Sequence, residues 1–404
     1  MVGLAVASWP VYAHNAHISG VSGTTFNLTA SPAYISSGDG GNILVWGYGV
    51  QGAAAQYPGP TLIVNQGDTI TVNLTNTLSE PASIVFQGIN GVTATGGAPG
   101  LLTAQANAAG GTVSYTFTAT NAGTYLYHSG SHPELQIEMG LVGALIVRPA
   151  AVNQAYAHPA TAYQQEYLLL LTEMDPQIHA AVEAKLPTDN TAYKPVLWFI
   201  NGRNAPDTMA DRFAPWLPHQ PYDAMLRTHP GDKVLLRIIA AGRDQHPFHT
   251  HGNHTTLIAR DGRLLESSPG KGPDLGSSNF TIQTEPGATY DALFSWTGEQ
   301  LGWDIYGHAL SDPLQPNEYA PDHGKKTPVI LPEFQNLTFG GMYSGSPFLG
   351  AFGTLPPGVG GMNMTGGMFF MWHSHTEREM VNNDIFPGGM MTMMIIEPPG
   401  VPIQ

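Results

Sequence analysis

The chain has 404 residues, with 15 Lys+Arg against 30 Asp+Glu, a formal charge of −15 and no cysteine. The missing cysteines exclude disulfides, iron–sulfur clusters, covalently attached haem and any copper–thiolate centre. The acidic balance argues against a nucleic-acid partner, since phosphate binding needs clustered Lys and Arg. Only 11% of residues are charged, while Gly numbers 48 and Pro 33; that composition points to all-β architecture in two or three domains.

Residues 1–13 (MVGLAVASWPVYA) are apolar and end in Val11-Tyr12-Ala13, similar to the tail of a secretory signal with its small-residue cleavage site, although the basic start is missing. Secretion, to a periplasmic or extracellular location, is therefore expected. No later run reaches the eighteen or so continuous apolar residues of a membrane helix. No Lys or Arg precedes Arg148, and the acids over that stretch are Asp39, Asp68, Glu80, Glu134 and Glu138. Two readings of this low-charge part stay open: a face covered by another subunit or a cell-surface layer, or a Thr/Asn/Gly-rich exposed surface.

One pattern occurs twice. YPGPTLIVNQGDTITVNLTN (57–76) alternates apolar and polar residues as a half-buried strand does, and HPGDKVLLRII (229–239) repeats its Gly-Asp followed by strand-like residues. GTYLYHSG (123–130) aligns with GGMFFMWHSH (366–375), placing His128-Ser129 against His373-Ser374. The chain reads as an internal duplication: domain 1 over 14–150, a linker over 151–162 and domain 2 over 163–400. Asp68 to His128 is 60 residues but Asp232 to His373 is 141, so the second copy carries a long insertion at about 298–367. A loop of that length usually serves function or assembly.

The chemistry-bearing residues cluster in HPFHTHGNH (246–254) and MWHSH (371–375). His249/His251 and His373/His375 are each two apart, so a strand points each pair to one face. Two facing pairs make a nitrogen-rich metal pocket. His132 and His254 read as orienting neighbours of such a pocket or as unrelated surface residues, and Glu377, Glu379 and Asp384 as a solvated loop or a carboxylate ligand. His14, His158, His179, His219, His229, His308 and His323 lie outside any motif and read as surface or turn positions. The methionines 362, 364, 368, 371, 380, 390, 391, 393 and 394 read either as soft copper donors or as filling of a buried terminal strand.

With these segments the chain resembles the multicopper oxidases, in particular their two-domain, laccase-like members, from about residue 57 to 398. The resemblance implies two tandem cupredoxin-like Greek-key β-sandwiches, copper as cofactor, oxidoreductase activity on a small-molecule or metal-ion substrate, and a homo-oligomer, such as the trimer of two-domain members, with copper held between subunits. It implies that His246 matches a type 1 copper ligand, His249 the type 2 ligand, and His251, His373, His375 and His128 ligands of the type 3 pair. The family's type 1 cysteine and second type 1 histidine are here Ser374 and Glu379. Counting 17 and 19 residues from Asp68, as from Asp232 to His249 and His251, gives Val85 and Gln87 where two more histidines belong, and Gly130 replaces a third. The expectation is one or two copper ions in a reduced, histidine-only site without a blue centre. The alternatives are a non-catalytic copper-binding or storage protein and a structural extracellular protein on the same fold.

Overall fold

The computed structural model describes residues 18–300, 302, 304, 308–315, 318–325, 338–339, 342–343, 368–397 and 401–403. The leader-like residues 1–13 and most of the insertion, with Met362 and Met364, lie outside the described residues. Four sheets form two sandwiches. Strands between Val21 and Arg148 make a pair of five-stranded sheets; strands between Gln165 and Ile396 make a seven-stranded and a five-stranded sheet. The fold is thus the tandem cupredoxin-type β-sandwich that the sequence implies. No helix among the described residues is long and apolar enough to cross a membrane.

Alternation explains how the sandwiches are held together. On the antiparallel strands Gly123–His128 and Val142–Arg148, Tyr125, Tyr127, Leu145 and Val147 enter the first core. Their neighbours Leu126, Val142, Ala144 and Ile146 face the other way, into a second cluster shared with Leu168, Leu170, Phe199 and Ile239 of the second sandwich. The strand Gln165–Met174 does the same: Leu169 and Leu171 fill its own core while Leu168 and Leu170 meet the partner sandwich. Both faces are covered, which is why these strands read as unbroken apolar runs. The stretch expected as a linker is packed too. Its Tyr156 is 7% exposed and lies with Ala122 of the first sandwich and Ile258 of the second.

A buried polar knot crosses the same junction. Arg237, fully buried, donates through Nε to Glu166 Oε1 at 2.7 Å and through Nη1 to Thr124 Oγ1 at 2.9 Å. Arg148 reaches Glu166 Oε2 at 2.5 Å, and Asp291 accepts from both Thr124 Oγ1 and Tyr156 OH at 2.5 Å. Removing the guanidinium would take the cation from buried Asp291 and leave Glu166 with Arg148 alone. Arg237→Met is expected to lower unfolding free energy by about 3–5 kcal/mol, measured by denaturant titration; a loss below about 1 kcal/mol would show the knot to be incidental.

Candidate metal centre

Strand His246–Thr250 pairs antiparallel with Met368–Ser374, setting Phe248 opposite Ser374, His249 opposite His373 and Thr250 opposite Trp372. Phe248 and Trp372 are fully buried, so the pleat sends the histidines to the opposite face. There His249 lies with its ring centre 4.8 Å from His251, 5.5 Å from His373 and 4.8 Å from His375, and His251 is 5.3 Å from His373. The Nε2 atoms of His251 and His373 are 3.2 Å apart. The pairs predicted from their spacing do come together.

Outer partners orient the rings. His373 Nδ1 sits 2.7 Å from the Ser374 carbonyl, and His128 Nδ1 sits 2.9 Å from the Ser129 carbonyl. A carbonyl only accepts, so in both rings Nδ1 carries the proton and Nε2 keeps its lone pair. The duplication thus repeats down to the tautomer. His249 Nδ1 pairs with Thr281 Oγ1 at 2.8 Å, and the Trp372 indole donates to the His251 carbonyl. Burial, reinforced by the neighbouring imidazoles, pulls the His249 pKa down to about 4. Burial also lowers those of His251 and His373. All three are neutral near pH 7, as metal ligands must be. Two nitrogens bound to one ion at about 2.0–2.1 Å lie roughly 3–4 Å apart, so the His251/His373 pair already fits copper or zinc.

The other expected ligands stand elsewhere. His128 makes no ring contact with the four histidines among the described residues; it pairs on its strand with Val85 and Val142. Val85 and Gly130 fit each other, since a Cβ added at 130 would lie 2.5 Å from Val85 Cγ2. Gln87 is turned to the Gly287 carbonyl at 2.6 Å.

His246 is fully buried between two carboxylates, Nδ1 2.8 Å from Glu379 Oε2 and Nε2 2.9 Å from Glu173 Oε2. Both ring nitrogens are taken, and neither is open to a metal in this arrangement. Burial opposes the charged ring, but the hydrogen bonds to Glu173 and Glu379 and their charges prevail and raise its pKa to about 9. Glu379, expected in a solvated loop or as a ligand, is buried and ion-paired. Glu173 also accepts from the Asp244 backbone at 2.9 Å and from the Arg243 backbone. It escaped the sequence reading; its signal was a lone acid in the otherwise uncharged stretch 167–174.

Three other positions read as surface or turn also differ. His179 is 1% exposed, its Nδ1 on the Leu44 carbonyl. His308 and His323 converge on Asp304 and Glu318. Met390, Met391, Met393 and Met394 are core residues, a packing role.

A multicopper oxidase family model matches residues 47–152. The chain is 33% identical to L-ascorbate oxidase of Cucumis sativus over 309 residues, 70% of this chain and 49% of that protein. It is 27% identical to L-ascorbate oxidase of Nicotiana tabacum over 71% of this chain and 51% of that protein. The chain thus spans about half the length of these relatives. Among solved structures the blue copper oxidase of Nitrosomonas europaea superposes with a TM-score of 0.59 at 20% identity, covering 92% of this chain and 85% of that one. The chain belongs to the multicopper oxidase family.

The His246 ion pairs predict a pH dependence. A raised folded-state pKa gives stability that is fully present below the unfolded value near 6.5 and is lost as pH rises to about 9. Melting temperature is expected to fall across that window in the wild type. In His246→Gln that component should vanish and overall stability drop; an unchanged pH profile in the variant would rule out the imidazolium.

Proposed function

We propose that the chain is a copper-binding oxidoreductase whose metal site is held by histidine alone: His249, His251, His373 and His375, with His128 supplied by the first domain of a neighbouring copy in a homo-oligomer, a trimer. Domain 1 would then be 14–150 and domain 2 163–400, joined by 151–162. The observation that carries the reading is the cluster of four imidazoles from two paired strands, three of them held neutral. The lone pair that the Ser129 carbonyl leaves on His128 Nε2 supports its role, and the absence of Lys and Arg before Arg148 suits a covered first domain. An exported protein, periplasmic or extracellular, fits its apolar start.

Copper, when bound, supplies one-electron chemistry toward a small-molecule or metal-ion substrate. The protein's part is to orient the His249 and His373 rings through Thr281 and the Ser374 carbonyl, to hold the His251 backbone through the Trp372 indole, and to keep His249, His251 and His373 unprotonated. A type 1 centre has no place in this reading. Ser374 offers no thiolate, and His246 and Glu379 neutralise each other. With Val85, Gln87 and Gly130 at family ligand positions, one chain lacks donors for a three-copper cluster. Laccase-type turnover is therefore expected to be far below that of an intact enzyme. The lost type 1 ligands favour a second reading, copper binding or storage without turnover.

His249→Ala/His375→Ala is expected to lose stoichiometric copper with its circular dichroism unchanged, by metal analysis and paramagnetic resonance. Copper content equal to wild type would overturn the ligand assignment. Copper-loaded wild type should lack the intense thiolate colour and oxidise phenols weakly or not at all. Robust phenol oxidation that disappears in the double variant would make the reduced site a working oxidase.

A further inference from the structure

The described part of the insertion gathers a second set of donors, Asp304, His308, Glu318 and His323, with one ligand atom of each within 4.8 Å of all the others. His308 Nδ1 is 3.3 Å from Glu318 Oε1 and 3.4 Å from Asp304 Oδ2. His323 Nδ1 is 2.7 Å from Glu318 Oε1 and 3.9 Å from Asp304 Oδ2. The edge of a tetrahedron with bonds of about 2.1 Å measures roughly 3.4 Å. The four separations above bracket that edge, and the whole donor set lies within 4.8 Å, close enough for one ion to be shared.

A second layer fixes three of the four donors. His323 Nε2 donates to the Asp312 carbonyl at 3.0 Å, which leaves Nδ1 directed at the two carboxylates. An imidazole anchored on a carbonyl by its far nitrogen is the usual support of a metal ligand. The Gln315 amide donates to Glu318 Oε2 at 2.9 Å and the Gly324 amide to Asp304 Oδ2 at 2.8 Å. The side chains of Asp304 and Glu318 are 1% and 4% exposed. Two carboxylates withdrawn from water favour positive charge among them; the two imidazoles supply it when protonated, and a divalent ion would supply it with both rings neutral, while the Lys325 ammonium turns to Asp322.

We propose that Asp304, His308, Glu318 and His323 form a divalent-metal site, built from different residues than the copper histidines, that takes zinc and pins the second domain's insertion. Two carboxylates balance the charge of one divalent ion. Nitrogen and oxygen donors without thioether or thiolate suit zinc and disfavour Cu(I).

The test uses a background in which His249, His251, His373 and His375 are all replaced by Ala, so that zinc cannot report on the copper histidines, and follows zinc chloride added to chelator-stripped protein by calorimetry. One zinc per chain is expected in that background and none when His308→Ala/His323→Ala is added. Glu318→Gln, which keeps the side-chain shape, should weaken zinc at least tenfold, and it carries the test if the histidine variant does not fold. Cobalt(II) should give the visible absorption of a tetrahedral ion in the background protein and lose it in both variants. No zinc uptake by the background protein, or uptake that neither set of substitutions diminishes, would overturn the site. Either result leaves the copper assignment untouched, because copper content is read separately in wild type.

Discussion

The candidate copper site depends on one strand pairing. With Phe248 opposite Ser374 and His249 opposite His373, the pleat buries Phe248 and Trp372 and gathers the imidazoles on the other face. A slip of one residue would put the rings in the core and the aromatics outside. Register is therefore defended by the apolar side of the sheet, where Phe294 stacks edge-on against Trp372 at 5.0 Å. The metal chemistry borrows its precision from hydrophobic packing.

The same strand, Gln165–Met174, delivers acids to two buried cations. Glu166 meets Arg237 at the junction of the sandwiches, and Glu173 meets His246 next to the imidazole cluster. In each case a cation stands between two carboxylates, the second being Asp291 or Glu379. At the position where the resemblance implies a copper ligand, a protonated ring thus takes the place that an ion would hold. Gly242 makes the room, since a Cβ there would lie 1.9 Å from Glu173 Oε2. Placing a cysteine at position 374 would therefore leave this ion triad as it stands.

Much of this was legible in the sequence, and the physical reason is period. Alternation marked the strands, and two-residue spacing placed His249 with His251 and His373 with His375 on one face. Pairing between distant segments was legible only through the repeat, which aligned His128 with His373 and exposed Val85, Gln87 and Gly130 as departures. What escaped was long-range and polar. Glu173 is 73 residues from His246, and no local pattern predicts that contact. His308 and His323 belong to no periodic segment, so they looked like turn residues until the carboxylates facing them were located.

The junction between the sandwiches has a consequence for how the protein can be divided. Leu168, Leu170, Phe199 and Ile239 of one half and Leu126, Ala144 and Ile146 of the other fill a single cluster. Either half expressed alone would present that surface to water as an extended greasy face, bordered by Arg148 without Glu166 on one half and by Glu166 and Arg237 without Arg148 and Thr124 on the other. Duplicated as it is in sequence, the chain has given up the independence of its copies: neither is a module that can be cut out, swapped or grafted without bringing its twin.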